Sequence, residues 1–151
     1  MKRFSFGFKE QQKSSRKIYS VDTALAGAIG FRMSDDFGRV AENIVYLEYL
    51  RRKVSNPEYE FFYWKEEQSG KDGKEVDFVV KSGNRIIEIA QVCMGDIVMD
   101  TKKRELRAIA KAIKKLNPEK IIIITEEYEG VEKYEYGNVI FIPLWKWLLQ
   151  I

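Results

Sequence analysis

Apolar positions recur along this chain with two different periods. Residues 38–53 (GRVAENIVYLEYLRRK) set Val40, Ile44 and Leu47 on one line and Ala41 and Val45 on the next, the spacing of a helix with one buried face. Asp35 or Asp36 stands where that helix needs a cap. Residues 59–65 (YEFFYWK) are aromatic-rich and run into the turn-forming SGKDGK, which predicts a strand. Residues 75–81 (EVDFVVK) alternate, with Val76, Phe78 and Val80 on one face and Glu75, Asp77 and Val79 on the other. Ser-Gly-Asn then turns the chain into RIIEIAQVC at 85–93, giving a hairpin.

A second helix is predicted from Thr101 to the stop at Asn117-Pro118. Leu106, Ile109, Ala110, Ile113 and Leu116 make its apolar stripe, and Lys103, Arg104, Arg107, Lys111, Lys114 and Lys115 fall opposite. IIIIT at 121–125 and NVIFIP at 138–143 read as strands, and WKWLLQI as a short closing helix. RKIYSVDTALAGAI reads as a short strand or turn and then a brief helix. The order predicts an α/β fold, a mixed central sheet flanked by helices. Residues 1–17 are polar, basic and without apolar period, so a flexible arm is expected there and one domain over 18–151.

Composition narrows the chemistry. The 151 residues are 45% apolar, which suits one domain with a real core. There is no histidine, so Ser-His-Asp and Cys-His catalysis, imidazole acid–base work and His-ligated metals are excluded. The lone Cys93 excludes an intrachain disulfide and a multi-cysteine zinc site. Carboxylates, lysines, tyrosines and a hard metal ion remain. Net charge is only +3, but residues 1–20 hold six basic residues against Glu10, and residues 101–116 seven against Glu105. Such runs are either solvated faces or a surface for a polyanion. No apolar stretch is long enough to span a bilayer, and the N-terminus lacks a secretory core, so no membrane partner and a cytoplasmic location are expected.

Three acids stand out: Glu42 on the first long helix, Asp77 in an otherwise apolar strand, and Glu88 inside IIEIA. A carboxylate in such a strand is costly unless it is paired or holds a metal. Converged, the three would suit Mg²⁺ or Mn²⁺. The plainer alternative is that Asp77 and Glu88 face solvent on a half-exposed hairpin, matched with lysines.

The runs GRVAENIVYLEYL, FYWK, GKEVDFVV, IAQVC, TKKRELRAI, IIIIT and IPLWKWLL, with KIYSVDTAL upstream, resemble the C-terminal domain of archaeal AAA-type ATPases. That family of unknown function has a restriction-endonuclease-like, PD-(D/E)XK nuclease core. The resemblance implies that Glu42 is the helix glutamate of the core and Asp77 its metal-binding aspartate. The next element should read Glu-x-Lys, and here the chain departs: Glu88 is followed by Ala90. In the other register Gln91 and Cys93 take the Glu and Lys places, and on a regular strand the two registers exclude each other. Neither supplies the lysine, for which Lys102, Lys103 and Arg104 are the candidates. The relatives carry an N-terminal ATPase; no G-x-x-x-x-G-K-[ST] occurs in this chain, so no ATPase activity is expected of it, and an ATPase partner in trans is one reading of that departure beside an isolated domain or a shortened gene.

Two functional readings follow. In the first the chain is a divalent-metal-dependent DNA nuclease, with Glu42, Asp77 and Glu88 holding Mg²⁺ or Mn²⁺, Gln91 as the alternative catalytic position, and Lys102, Lys103, Arg104, Arg107 and Lys111 holding nucleic acid. In the second, the missing lysine marks a catalytically inactive nucleic-acid-binding or protein-interaction module, with FFYW, Trp145 and Trp147 either as interface anchors or as core.

Overall fold

The computed structural model describes residues 1–22, 37–66, 74–95 and 99–150. The expected Asp35 or Asp36 cap and most of the brief helix after residue 20 lie outside the described residues. In chain order the elements are β1 (Lys2–Arg3), α1 (Phe8–Lys13), α2 (Phe37–Ser55), β2 (Tyr59–Lys65), β3 (Glu75–Ser82), β4 (Arg85–Cys93), α3 (Met99–Leu116), β5 (Lys120–Thr125), β6 (Gly130–Tyr134), β7 (Gly137–Pro143) and α4 (Leu144–Leu148).

Among the described residues the strands form one seven-stranded mixed sheet in the order β1-β2-β3-β4-β5-β7-β6. β2, β3 and β4 run antiparallel, while β4, β5 and β7 are parallel neighbours. A parallel step needs a long crossover, and α3 provides it between β4 and β5. Gly83, with φ 57°, opens the two-residue turn that joins β3 to β4, a position where a side chain would be strained. Asn117, with φ 46°, ends α3 in the left-handed conformation, and its N–H caps the Ile113 carbonyl at 2.8 Å.

Each face of the sheet has its own core. α3 lays Ile109, Ala112 and Leu116 against Val76, Val79, Ile89, Ile121 and Ile123. α2 lays Val45 and Tyr49 against Phe78, Val80, Ala90, Ile122 and Trp147 of α4. Ala112 rather than Ala110 is fully buried in the α3 stripe, which keeps Ile109 and Leu116 and is rotated by only a fraction of a turn from the expected line. Phe62, Tyr63, Trp64 and Trp147 are core, so of the aromatics considered as interface anchors only Trp145 is well exposed.

The strict alternation expected along β3 fails at one place. Phe62 pairs with Val79 but Trp64 with Val76, so two steps of β2 oppose three of β3, a β-bulge. Val76 therefore joins Val79 on the α3 side, while Phe78 and Val80 face α2. The bulge frees Asp77 from the regular pleat.

Residues 1–17 are not a separate arm. β1 pairs parallel with β2, the Phe4 N–H donates to the Tyr63 carbonyl at 2.7 Å, and Phe4 is buried. The Arg3 guanidinium donates to the Lys65 carbonyl at 2.7 Å, and Lys2 bridges Arg16. The polar composition hid an edge strand because so short a strand carries no period. No helix is long and apolar enough to cross a membrane among the described residues.

A candidate carboxylate–lysine site

The bulge in β3 sets the geometry. At that point the ladder is completed by side chains: the Asp77 N–H donates to Gln91 Oε1 at 3.1 Å, and the Val92 N–H donates to Asp77 Oδ2 at 3.0 Å. One oxygen of Asp77 is thus committed to the backbone, and Gln91 serves the Asp77 N–H. The other oxygen, Oδ1, accepts from Lys17 Nζ at 3.0 Å.

Lys17 gathers two more acids. Its Nζ lies 2.9 Å from Glu42 Oε1 on α2 and 2.7 Å from Glu75 Oε1 at the start of β3. Tyr19 adds a hydroxyl that donates to Glu42 Oε1 at 2.6 Å. The segment carrying Lys17 and Tyr19 is clamped to α2 by Asn43, whose side chain accepts from the Ser20 N–H at 2.8 Å and donates to the Ser20 carbonyl at 2.9 Å. Asn43 is buried and behaves as a strand partner would, satisfying both backbone groups of Ser20. The Tyr19 ring stacks on Tyr46 with centroids 4.2 Å apart. A cleft of about 320 Å³ opens beside the group, lined by Lys17, Ile18, Tyr19, Arg39, Glu42 and Asn43.

The charges bear on one another. Burial works against the Lys17 ammonium, but Asp77, Glu42 and Glu75 outweigh it and hold its pKa well above the usual lysine value. Burial raises Asp77 to about 6; Lys17 opposes the rise and Glu42 adds to it. The two shifts pull opposite ways, since a strong pair would lower Asp77. The protonated state of Lys17 is the firmer of the two, because one ammonium faces three carboxylates while Asp77 shares its cation with two others. Burial and then Glu42 push the Tyr19 hydroxyl upward, so it remains a donor.

Of the expected site residues, Glu42 and Asp77 are brought together, and Gln91 touches Asp77 through its backbone. Glu88 is not with them. It pairs with Val80, three residues along β3 from Asp77, on the order of 10 Å away. Its carboxylate accepts from the Tyr49 hydroxyl at 2.5 Å and lies 3.6 Å from Lys120. Cys93 is buried in the core facing α3, away from Lys17. Lys102, Lys103 and Arg104 lie in the first turns of α3, and their side chains are outside the described residues. Arg107 and Lys111 are exposed on α3, with Lys111 donating to Glu66 at 2.6 Å.

Lys17, Tyr19, Asn43 and Glu75 were not singled out from sequence. A signal existed for Glu75, which is set beside Asp77 in GKEVDFVV; Lys17 was one basic residue among six. The expected Mg²⁺ or Mn²⁺ does not fit this arrangement. The donor chemistry is suitable, hard oxygens from α2 and β3, but their meeting point is taken by the ammonium. Among the described residues no three acidic or thiol side chains are grouped to hold a metal ion. A cleft of about 690 Å³ beside Phe4, Phe6 and Phe62 holds none of the expected residues.

The uncharacterized protein MJ1544 of Methanocaldococcus jannaschii is 34% identical over 151 residues, covering 96% of this chain and 32% of that protein. The chain thus spans about a third of the length of that relative. No solved structure matches it. Residues 37–147 match the model of the domain of unknown function DUF4143, a stretch that includes Glu42, Glu75, Asp77, Glu88 and Gln91 and leaves Lys17 and Tyr19 outside. The chain belongs to the DUF4143 family.

Proposed function

We propose that this chain is a nucleic-acid-binding module built on a restriction-endonuclease-like core that does not itself cleave. What supports the ancestry is a helix glutamate and a strand aspartate meeting beside a mixed sheet, at the carboxyl end of β4, where ligands of open α/β sheets commonly bind. What carries the binding reading is a single arrangement. Arg107, Lys111, Lys114 and Lys115 are exposed along one side of α3, whose apolar stripe is buried against the sheet. α3 and the carboxylates lie on opposite sides of that sheet. A phosphate backbone lying along α3 is therefore not delivered to Asp77. Binding is electrostatic and steeply dependent on salt, because each neutralised phosphate releases counterions.

The test is fluorescence anisotropy with duplex and single-stranded DNA over a salt series, with no added metal. The double variant Arg107→Glu/Lys114→Glu is expected to bind at least about tenfold more weakly, with a salt slope shallower by about 2. The same DNA, incubated with Mg²⁺ or Mn²⁺, stays intact. Absence of binding at low salt, or a double variant that binds as the wild type does, rejects the binding reading. Cleavage that is lost in Asp77→Asn restores the metal-dependent nuclease.

A further inference from the structure

The carboxylate centre has a cation of its own. An ammonium has three N–H donors, and Lys17 Nζ has three carboxylate partners at 2.7, 2.9 and 3.0 Å, so its donor capacity is filled. The partners come from α2 and β3. Only 21% of the Lys17 side chain is exposed, and 12% of that of Asp77. We infer that Lys17 is the resident cation of this centre, standing where a divalent ion would need to stand, and that the native chain is metal-independent.

The alternative would have Lys17 yield to Mg²⁺. Its departure is opposed by how the segment is held. Ser20 is fixed by two bonds to Asn43, Tyr19 is stacked on Tyr46 and bonded to Glu42, and Arg16 bridges Lys2. Mg²⁺ also demands oxygens at about 2.0–2.1 Å in octahedral array and gives up water reluctantly. Asp77 Oδ2 is already engaged by the Val92 N–H, so Oδ1, which faces Lys17, is its readier oxygen. Glu42 Oε1 is shared between Lys17 and Tyr19. What results is a latch: the same ammonium that neutralises Glu42, Glu75 and Asp77 fastens residues 17–20 across α2 and β3. Neither the latch nor the poor fit of a metal depends on whether α3 binds nucleic acid, since the two surfaces lie on opposite sides of the sheet.

The experiment is Mn²⁺ titration by calorimetry on the whole chain, with melting in MgCl₂ against NaCl at equal ionic strength. The wild type is expected to give no saturable heat and no shift in Tm. Lys17→Gln is expected to gain one-site binding, at least roughly tenfold tighter than any in the wild type, and Asp77→Asn in that background to remove it. Saturable binding by the wild type, or a folded Lys17→Gln that stays silent, overturns the inference. Should Lys17→Gln not fold, the wild-type melting decides: a Tm raised by Mg²⁺ overturns it, because a ligand of the native state must stabilise it, and an unchanged Tm supports it. The DNA-binding measurement needs no metal, so its failure and failure here are separately visible.

Discussion

Asp77 and Glu88 stand on neighbouring antiparallel strands, each within an apolar run and each turned toward α2, yet they are neutralised by different means. Asp77 lies in a bulge, gives one oxygen to the backbone and the other to an ammonium shared with two more acids. Glu88, opposite Val80, lies beside a second register shift, where one step of β3 opposes two of β4, and is held by the neutral hydroxyl of Tyr49, with Lys120 at 3.6 Å. The two ends of one hairpin thus treat a carboxylate in two ways. At the bulge it is a charge in a network; opposite Val80 it is an acceptor for one buried donor. The first arrangement gathers three carboxylates from two elements around one ammonium, whereas the second sets a single carboxylate beside one lysine of β5.

The largest difference is expected from removing the cation. Lys17→Met leaves Glu42, Glu75 and Asp77 facing one another without compensation, and breaking such a partly buried set costs about 3 kcal/mol. Urea unfolding followed by circular dichroism should show a lowered midpoint. A change below about 0.5 kcal/mol, the range of ordinary surface substitutions, would remove Lys17 from its place at the centre.

Next in size is the hydroxyl at each end. Tyr49→Phe takes away the buried donor that serves the partly buried Glu88, at a cost of about 2 kcal/mol. Tyr19→Phe deprives Glu42 of one partner but leaves it Lys17, so about 1 kcal/mol is expected. The order of the two losses in urea is the informative quantity. If Tyr19→Phe costs more, then Lys17 does not satisfy Glu42, and the contrast between the two ends is drawn wrongly.

Much of the frame was legible because it rests on local period. β2 and β4 have the bounds their apolar runs predict, and α3 ends at Asn117 as its stop signal requires. The site was half legible. Asp77 stands out as a carboxylate in an apolar strand and Glu42 as an acid of the first long helix, and they do meet. What pattern could not show is the bulge, since it exists only in the pairing of β2 with β3. Without it, Asp77 belongs with Val79 on the α3 face. Lys17 was hidden for a related reason: its partners lie 25 and 60 residues away, and a basic residue among basic residues carries no local mark. On a regular strand either Glu88 or Gln91 is expected to face the metal. Gln91 instead repairs the ladder beside Asp77, a task set by the bulge. β6 was missed because its edge position leaves Val131 exposed among charges.

A last difference concerns pH, and it separates the two carboxylates most cleanly. The folded-state pKa of Asp77 is raised from 3.8 to about 6, chiefly by burial. A carboxyl raised on folding binds its proton more tightly in the native state. Its contribution to stability is therefore complete below the unfolded value of 3.8 and is lost as pH rises through about 6. The wild type should accordingly lose stability through this group between about pH 4 and about pH 7. Asp77→Asn removes that decline while keeping an oxygen to accept from the Val92 N–H, so the bulge survives. Glu88→Gln keeps an acceptor for Tyr49 and gives up only the contact with Lys120, worth less than about 1 kcal/mol. It should leave the decline as it stands. Urea midpoints of the three proteins at the two pH values decide the matter. A decline that persists in Asp77→Asn means that the titrating charge lies elsewhere; one abolished by Glu88→Gln moves the charge network from the bulge to the far end of the hairpin, and with it the place to look for chemistry.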